Sequence, residues 1–135
     1  MTEVVTAVLR YNNKILLLKR SDTVRTYRGH WACVSGYLEQ NETPLMRAFT
    51  EIKEETGLTQ EKVTFTKTGT TVDFYDDATE EQWIIHPFLF DTSTNIITID
   101  WEHTTYAWIS PQDITSYVTV PKLEGIIRAL LITQL

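Results

Sequence analysis

GYLEQNETPLMRAFTEIKEETGL, residues 36–58, is the stretch on which the reading of the whole chain turns. Thr43 is suited to cap a helix, Pro44 to occupy its first position, and Gly57 to end it in a left-handed conformation. At about 100° per residue, Leu45, Ala48, Phe49 and Ile52 fall on one arc, so the helix is predicted to bury that side. Glu51, Glu54 and Glu55 stand at i, i+3 and i+4 and share a second face, with Glu55 bordering the apolar arc. Three carboxylates packed this closely repel one another unless a positive charge sits among them. A hard divalent cation fits, because it takes oxygen ligands and completes its shell with water and substrate phosphates. The face therefore predicts a phosphate-handling metal site, against the plainer reading of a solvated acidic surface.

Working outward, Val4 to Arg10 and Lys14 to Lys19 are β-rich and are joined by Asn12-Asn13, which predicts a tight hairpin. Ser21 to His30 is polar and is expected to be a long loop. Trp31 to Val34 reads as a short strand, and Ser35-Gly36 as the start of the loop before the helix. Lys62 to Phe74 and Gln82 to Phe90 are expected strands around a turn at Tyr75 to Glu80, and His103 to Ile109 is another. Ser110 to Asp113 opens a short helical turn, and Pro121 to Leu135 is expected to form a closing amphipathic helix. Strands between two helices predict an α/β fold with a mixed sheet sandwiched by helices.

The chain has 135 residues, 42% of them hydrophobic and 22% charged, which suits one soluble domain over residues 1–135. The formal charge is −6, and Glu42, Glu51, Glu54 and Glu55 contribute much of it. That balance argues against nucleic-acid or anionic-membrane partners. Cys33 is the only cysteine, so no disulfide can form within the chain, and it is expected to be a small buried residue. Neither a leader-like N-terminus nor an apolar run of about 18 residues is present, which predicts a cytoplasmic protein. Nothing in the sequence sets the oligomeric state, and a homodimer stays open.

The helical stretch resembles the Nudix box, G-x5-E-x7-R-E-U-x-E-E-x-G-U, where U is aliphatic. Gly36, Glu42, Glu51, Ile52, Glu54, Glu55, Gly57 and Leu58 match it, and Thr50 stands where the pattern has Arg. Leu16 to Arg20, Trp31 to Gly36, Glu102-His103 and Tyr106 to Pro111 are similar to other segments of the family. The resemblance implies an α/β/α sandwich and a metal-dependent pyrophosphohydrolase. Such an enzyme cleaves the phosphoanhydride of a nucleoside diphosphate linked to another group, using Mg²⁺ or Mn²⁺. Nucleoside triphosphates, diadenosine polyphosphates, ADP-ribose-like sugars and dihydroneopterin triphosphate are all candidate substrates. The competing class is a catalytically silent Nudix module that binds a nucleotide or a partner protein, a reading that Thr50 favours.

By the same resemblance, Glu54 and Glu55 are expected metal ligands and Glu51 a ligand or the general base. The Gly36 carbonyl and Glu102 are expected as further ligands. Glu42 is expected to steady the loop. Arg20, Arg25 and Arg28 are candidate phosphate contacts. Tyr27, Trp31, Tyr37, Phe74, Tyr75 and Trp83 are candidates for stacking on a base, with Tyr75 placed as in some diadenosine-polyphosphate hydrolases. His30, His86 and His103 lack metal-ligand spacing and are expected to be structural or surface residues. Arg47, at i−4 to Glu51, is expected to point between Glu51 and Glu54 and to replace the missing box cation; the alternative is a solvent-exposed pair with Glu51.

Overall fold

The computed structural model describes residues 1–132. Its strands are β1 (Thr2–Tyr11), β2 (Lys14–Arg20), β3 (Trp31–Ala32), β4 (Val34–Tyr37), β5 (Val63–Thr68), β6 (Val72–Asp76), β7 (Glu81–Thr92) and β8 (His103–Ile109). The helices are α1 (Pro44–Thr56) and α2 (Leu123–Leu131), with single 3₁₀ segments at Gln60–Lys62 and Pro111–Ser116. All eight strands belong to one sheet. β1 runs parallel to β7 from Thr2 to Arg10 and antiparallel to its other neighbours.

Strand alternation divides the core between the two faces of this sheet. Val5, Ala7, Leu9, Leu16 and Leu18 pack with Ala48 and Ile52 of α1. Val8, Ile15 and Leu17 pack with Leu123, Ile126, Ile127 and Leu130 of α2. Both faces are covered, so the expected α/β/α sandwich is the observed architecture.

The hairpin differs from its expected form in one decisive way. Asn12 and Asn13 take positive φ angles of 48° and 64°, as a tight turn demands. Yet β1 and β2 pair only at Arg10–Ile15 and Tyr11–Lys14, and then splay apart. The next segment fills the fork: β3 pairs with β2, the chain bends at Cys33, and β4 pairs with β1 from Val4 to Ala7. The strand predicted to stop at Val34 therefore continues to Tyr37, and Gly36 lies in the ladder opposite Val5 rather than in a loop.

Other boundaries moved as well. The strand expected over Lys62 to Phe74 is two strands, β5 and β6, which share one edge of β7. β6 runs on to Asp76, so the turn before β7 is shorter than expected. The β5–β7 ladder carries a bulge between Phe65 and Lys67. The closing helix is shorter than expected, and residues 133–135 lie outside the described part of the chain. Among the described residues, no helix is long and apolar enough to cross a membrane.

Helix α1 is bounded as its sequence dictates. The Thr43 hydroxyl accepts the Met46 N–H at 3.2 Å, and Gly57 turns the chain at φ 77° while its N–H reaches the Lys53 carbonyl. An L side chain in that left-handed region costs about 1 kcal/mol. Gly57→Ala should lower the unfolding free energy by that amount, read by circular dichroism as a lower urea midpoint with an unchanged slope.

Candidate active site

α1 lies against β4 so closely that a Cβ on Gly36 would overlap the carboxyl of Glu51. The glycine is required here by this close approach, and it brings the helix's acidic face to the open side of the fork. A cleft of about 320 Å³ begins there. Its lining combines polar groups, Glu51, Glu54, Glu102, Arg20, Ser35 and Gly36, with apolar ones, Phe74, Trp83, Ile85, Leu123 and Ile126.

Arg47 organises the carboxylates at the mouth. It is only 9% exposed. Its Nε donates to Glu42 Oε1 at 2.6 Å, its Nη2 to Glu42 Oε2 at 3.1 Å, and its Nη1 to Glu51 Oε2 at 2.8 Å. Glu39 joins the group, with its carboxylate 3.2 Å from Nη2. This is not the solvent-exposed pair of the simpler expectation. Nor does Arg47 point between Glu51 and Glu54 as expected: its partners are Glu51, Glu42 and Glu39. The bonds to Glu42 and Glu51 raise the guanidinium pKa further. Glu42 is held below the usual carboxylate range, first by Arg47 and then by the Glu39 N–H that it accepts at 2.8 Å. Glu42 thus pins the turn before α1 to Arg47. Thr50 is exposed and donates to the Met46 carbonyl at 3.2 Å, away from this network.

Glu55 sits deeper, 2% exposed. Its Oε2 accepts the Ser35 N–H at 3.4 Å, and its Oε1 stands 3.7 Å from Nε2 of His103. Burial raises its pKa well above the ordinary value, and Glu51, Glu102 and Asp100 add to the effect. Glu51 is raised by burial against the opposing bond from Arg47, and Glu102 is raised by burial and by Asp100. Glu54 is exposed at the cleft wall.

Several expected residues do not reach the cleft. Tyr75 is 56% exposed and faces outward, because β6 turns its neighbours Phe74 and Asp76 inward. Arg28 is tied by Nε to the Val24 carbonyl at 2.7 Å and is exposed, and Arg25 is exposed as well. Neither lines the cleft, whereas Arg20 does, steadied by the Thr26 carbonyl at 3.0 Å. Trp31 packs edge-on against Tyr117 beside the α2-side core. Of the aromatic candidates, Tyr27, Tyr37, Phe74 and Trp83 line the cleft. Tyr27 Oη donates to Asp76 Oδ2 at 2.6 Å, clasping the loop after β2 onto β6. Cys33 is buried as expected, its thiol pushed up to about 12 by burial and by Glu55.

His103, expected to be a structural or surface residue, lies inside the protein. It is buried, with Nδ1 2.7 Å from Asp100 Oδ1, and it faces Glu55. Its position at the start of β8 held no clue that the strand would begin beside α1.

The donor chemistry fits a hard divalent cation. The groups there are carboxylates, and burial makes three of them costly as anions unless positive charge is added. Among the described residues, no three His, Cys, Asp or Glu side chains already converge as a finished cage.

A sandwich whose sheet splits around an acid-walled cleft is the class that the fold and site define. The NUDIX domain profile matches residues 1–130, and the chain belongs to that family. It is thus a hydrolase of phosphoanhydride bonds, in a family that generally requires divalent metal ions. The nucleoside triphosphatase NudI of Escherichia fergusonii is 30% identical over 120 residues, which are 84% of this chain and 85% of that protein. An Ap4A hydrolase from C. elegans shares the fold with a TM-score of 0.81 at 18% identity, over 96% of this chain and 94% of that one. A bifunctional NMN adenylyltransferase/ADP ribose pyrophosphatase from Francisella tularensis, complexed with AMP and Mn ion, gives a TM-score of 0.83 at 26% identity, over 96% of this chain and 41% of that one.

Two tests follow from the charges. The folded state holds the Glu55 proton to higher pH than the unfolded chain does. Its contribution to stability is therefore full below the ordinary carboxylate range and is lost as pH rises through the raised value. In metal-free protein at neutral pH, Glu55→Gln should raise the melting temperature by roughly 3 °C or more, while turnover falls on the order of 10²-fold. Arg47→Ala should lower turnover about 10-fold or more, and Thr50→Arg in that background should recover part of the rate; a kinetically silent Arg47→Ala would remove Arg47 from the site.

Proposed function

We propose that the chain hydrolyses a nucleoside triphosphate or a related nucleoside diphosphate derivative. The polyphosphate would lie along the carboxylates and the base against the aromatic residues of the lining. The observation that carries this reading is the single cleft joining Glu51, Glu54 and Glu102 to Phe74 and Trp83. The nucleoside triphosphatase relatives support the choice of substrate class.

Glu51, Glu54, Glu55, Glu102 and the Gly36 carbonyl would hold Mg²⁺ or Mn²⁺; the latter is present in the Francisella tularensis complex. When bound, the cation supplies the positive charge that lets an anionic phosphoanhydride lie beside these carboxylates and stabilises the leaving phosphate. A glutamate among Glu51, Glu54 and Glu55 takes the proton of the attacking water. The water oxygen bonds to phosphorus as the anhydride P–O bond breaks, and the departing phosphate keeps the electron pair. Arg20 grips a phosphate oxygen. Arg47 keeps the Glu51 carboxylate in place, the work that the box arginine would do from position 50. With that charge supplied by Arg47, Thr50 no longer favours a silent binding module.

The test is a panel of nucleoside triphosphates, dinucleoside polyphosphates and ADP-ribose with Mg²⁺ or Mn²⁺, with the products identified. Hydrolysis should cease with a chelator and fall on the order of 10²-fold in Glu54→Gln. A panel without a single substrate would leave the silent module standing. Glu102→Gln should weaken Mn²⁺ binding, followed by calorimetry, without changing the melting temperature; unchanged binding and rate would make Glu102 a surface residue.

A further inference from the structure

We propose that His103 is a positioning residue that sets the Glu55 carboxyl in place, with Asp100 in turn fixing the ring. The inference rests on the reading of Glu55 as a working group of the site.

The ring is held on one edge with little freedom. Nδ1 lies 2.7 Å from Asp100 Oδ1, and the His103 backbone N–H reaches the Asp100 carbonyl at 3.2 Å. Side chain and main chain are thus both tied to one residue. With Asp100 accepting, Nδ1 carries a proton, and Nε2 is presented to Glu55.

Glu55 needs such a support. Its side chain is 2% exposed and that of His103 is 3% exposed, so water does not hold either group in place. Ser35 takes Oε2 from the β4 side at 3.4 Å, and His103 faces Oε1 from the β8 side at 3.7 Å. The carboxyl is flanked by one nitrogen on each oxygen. At 3.7 Å the pair is a close approach rather than a hydrogen bond, and catalytic hydrogen bonds in unliganded sites are often long and tighten only in the complex. Groups that orient a metal-binding carboxylate typically change affinity or activity 10- to 100-fold when removed.

The two ring nitrogens can be tested separately. Asn places its amide nitrogen near the Nδ1 position, so His103→Asn keeps the Asp100 bond and loses the Glu55 contact. Gln reaches the Nε2 position, so His103→Gln keeps a donor toward Glu55. Mn²⁺ affinity measured by calorimetry, kcat and KM, and melting temperature are compared for both variants and for Glu55→Gln. We expect His103→Asn to bind Mn²⁺ about 10-fold more weakly and to lose kcat rather than raise KM, with His103→Gln recovering part of both. A His103→Asn variant with native Mn²⁺ affinity and kcat overturns the proposal, as do losses that follow melting temperature alone and are equal in the two variants. If Glu55→Gln loses affinity while His103→Asn does not, the site stands and the role of His103 falls. A silent Glu55→Gln brings down both.

Discussion

The contact on which the rest of the structure depends is the seating of Glu51 on the backbone of Gly36. Only a residue without a side chain allows the helix to approach the strand so closely. That strand can lie there only because β1 and β2 part after the Asn12-Asn13 turn and leave a fork for it. The splayed hairpin, the bend at Cys33 and the glycine are therefore one device. Together they bring carboxylates from a helix on one face of the sheet to a cleft that is also lined by residues of the core on the other face.

Charge is arranged on this frame in a graded way. Glu42 and Glu51 meet Arg47 directly, so the negative charge at the mouth of the site is partly offset from within. Among the described residues no arginine or lysine bonds to Glu55 or Glu102, and burial raises both. Arg47 stands about one turn nearer the start of α1 than Thr50 does. There it also anchors the Glu39–Glu42 turn, a task added to that of holding the helix face.

Helix α1 was legible because its information is local: a capping threonine, a proline, a period of about 3.6 and a terminating glycine. The pattern of the acidic face was legible for the same reason. What escaped the sequence is long-range. The parting of β1 and β2 is decided by a strand that inserts later in the chain, and His103 meets Glu55 only through the pairing of β8 with β2. Tyr75 was a candidate by its likeness to a tyrosine of some diadenosine-polyphosphate hydrolases, a likeness that carries no information on which face of a strand it takes. Once β6 is extended to Asp76, alternation alone sends Tyr75 outward. Arg28 was misplaced because loop Ser21 to His30 folds back on its own carbonyls, which no spacing rule foresees.

The bulge between Phe65 and Lys67 bears on how this molecule lives among its own copies. β5 lies at the edge of the sheet, where unpaired backbone groups invite another strand. A bulge breaks the regular spacing of those groups and increases the local twist. Lys67, just past it, sends its ammonium to the Ala129 and Ile132 carbonyls at 3.5 Å, beside the end of α2. One irregularity thus satisfies the negative end of a helix and spoils a template for stacking. A strand from a second molecule would meet a kinked, charged border in place of a flat one, so the edge that extends the sheet is also built to stop it growing.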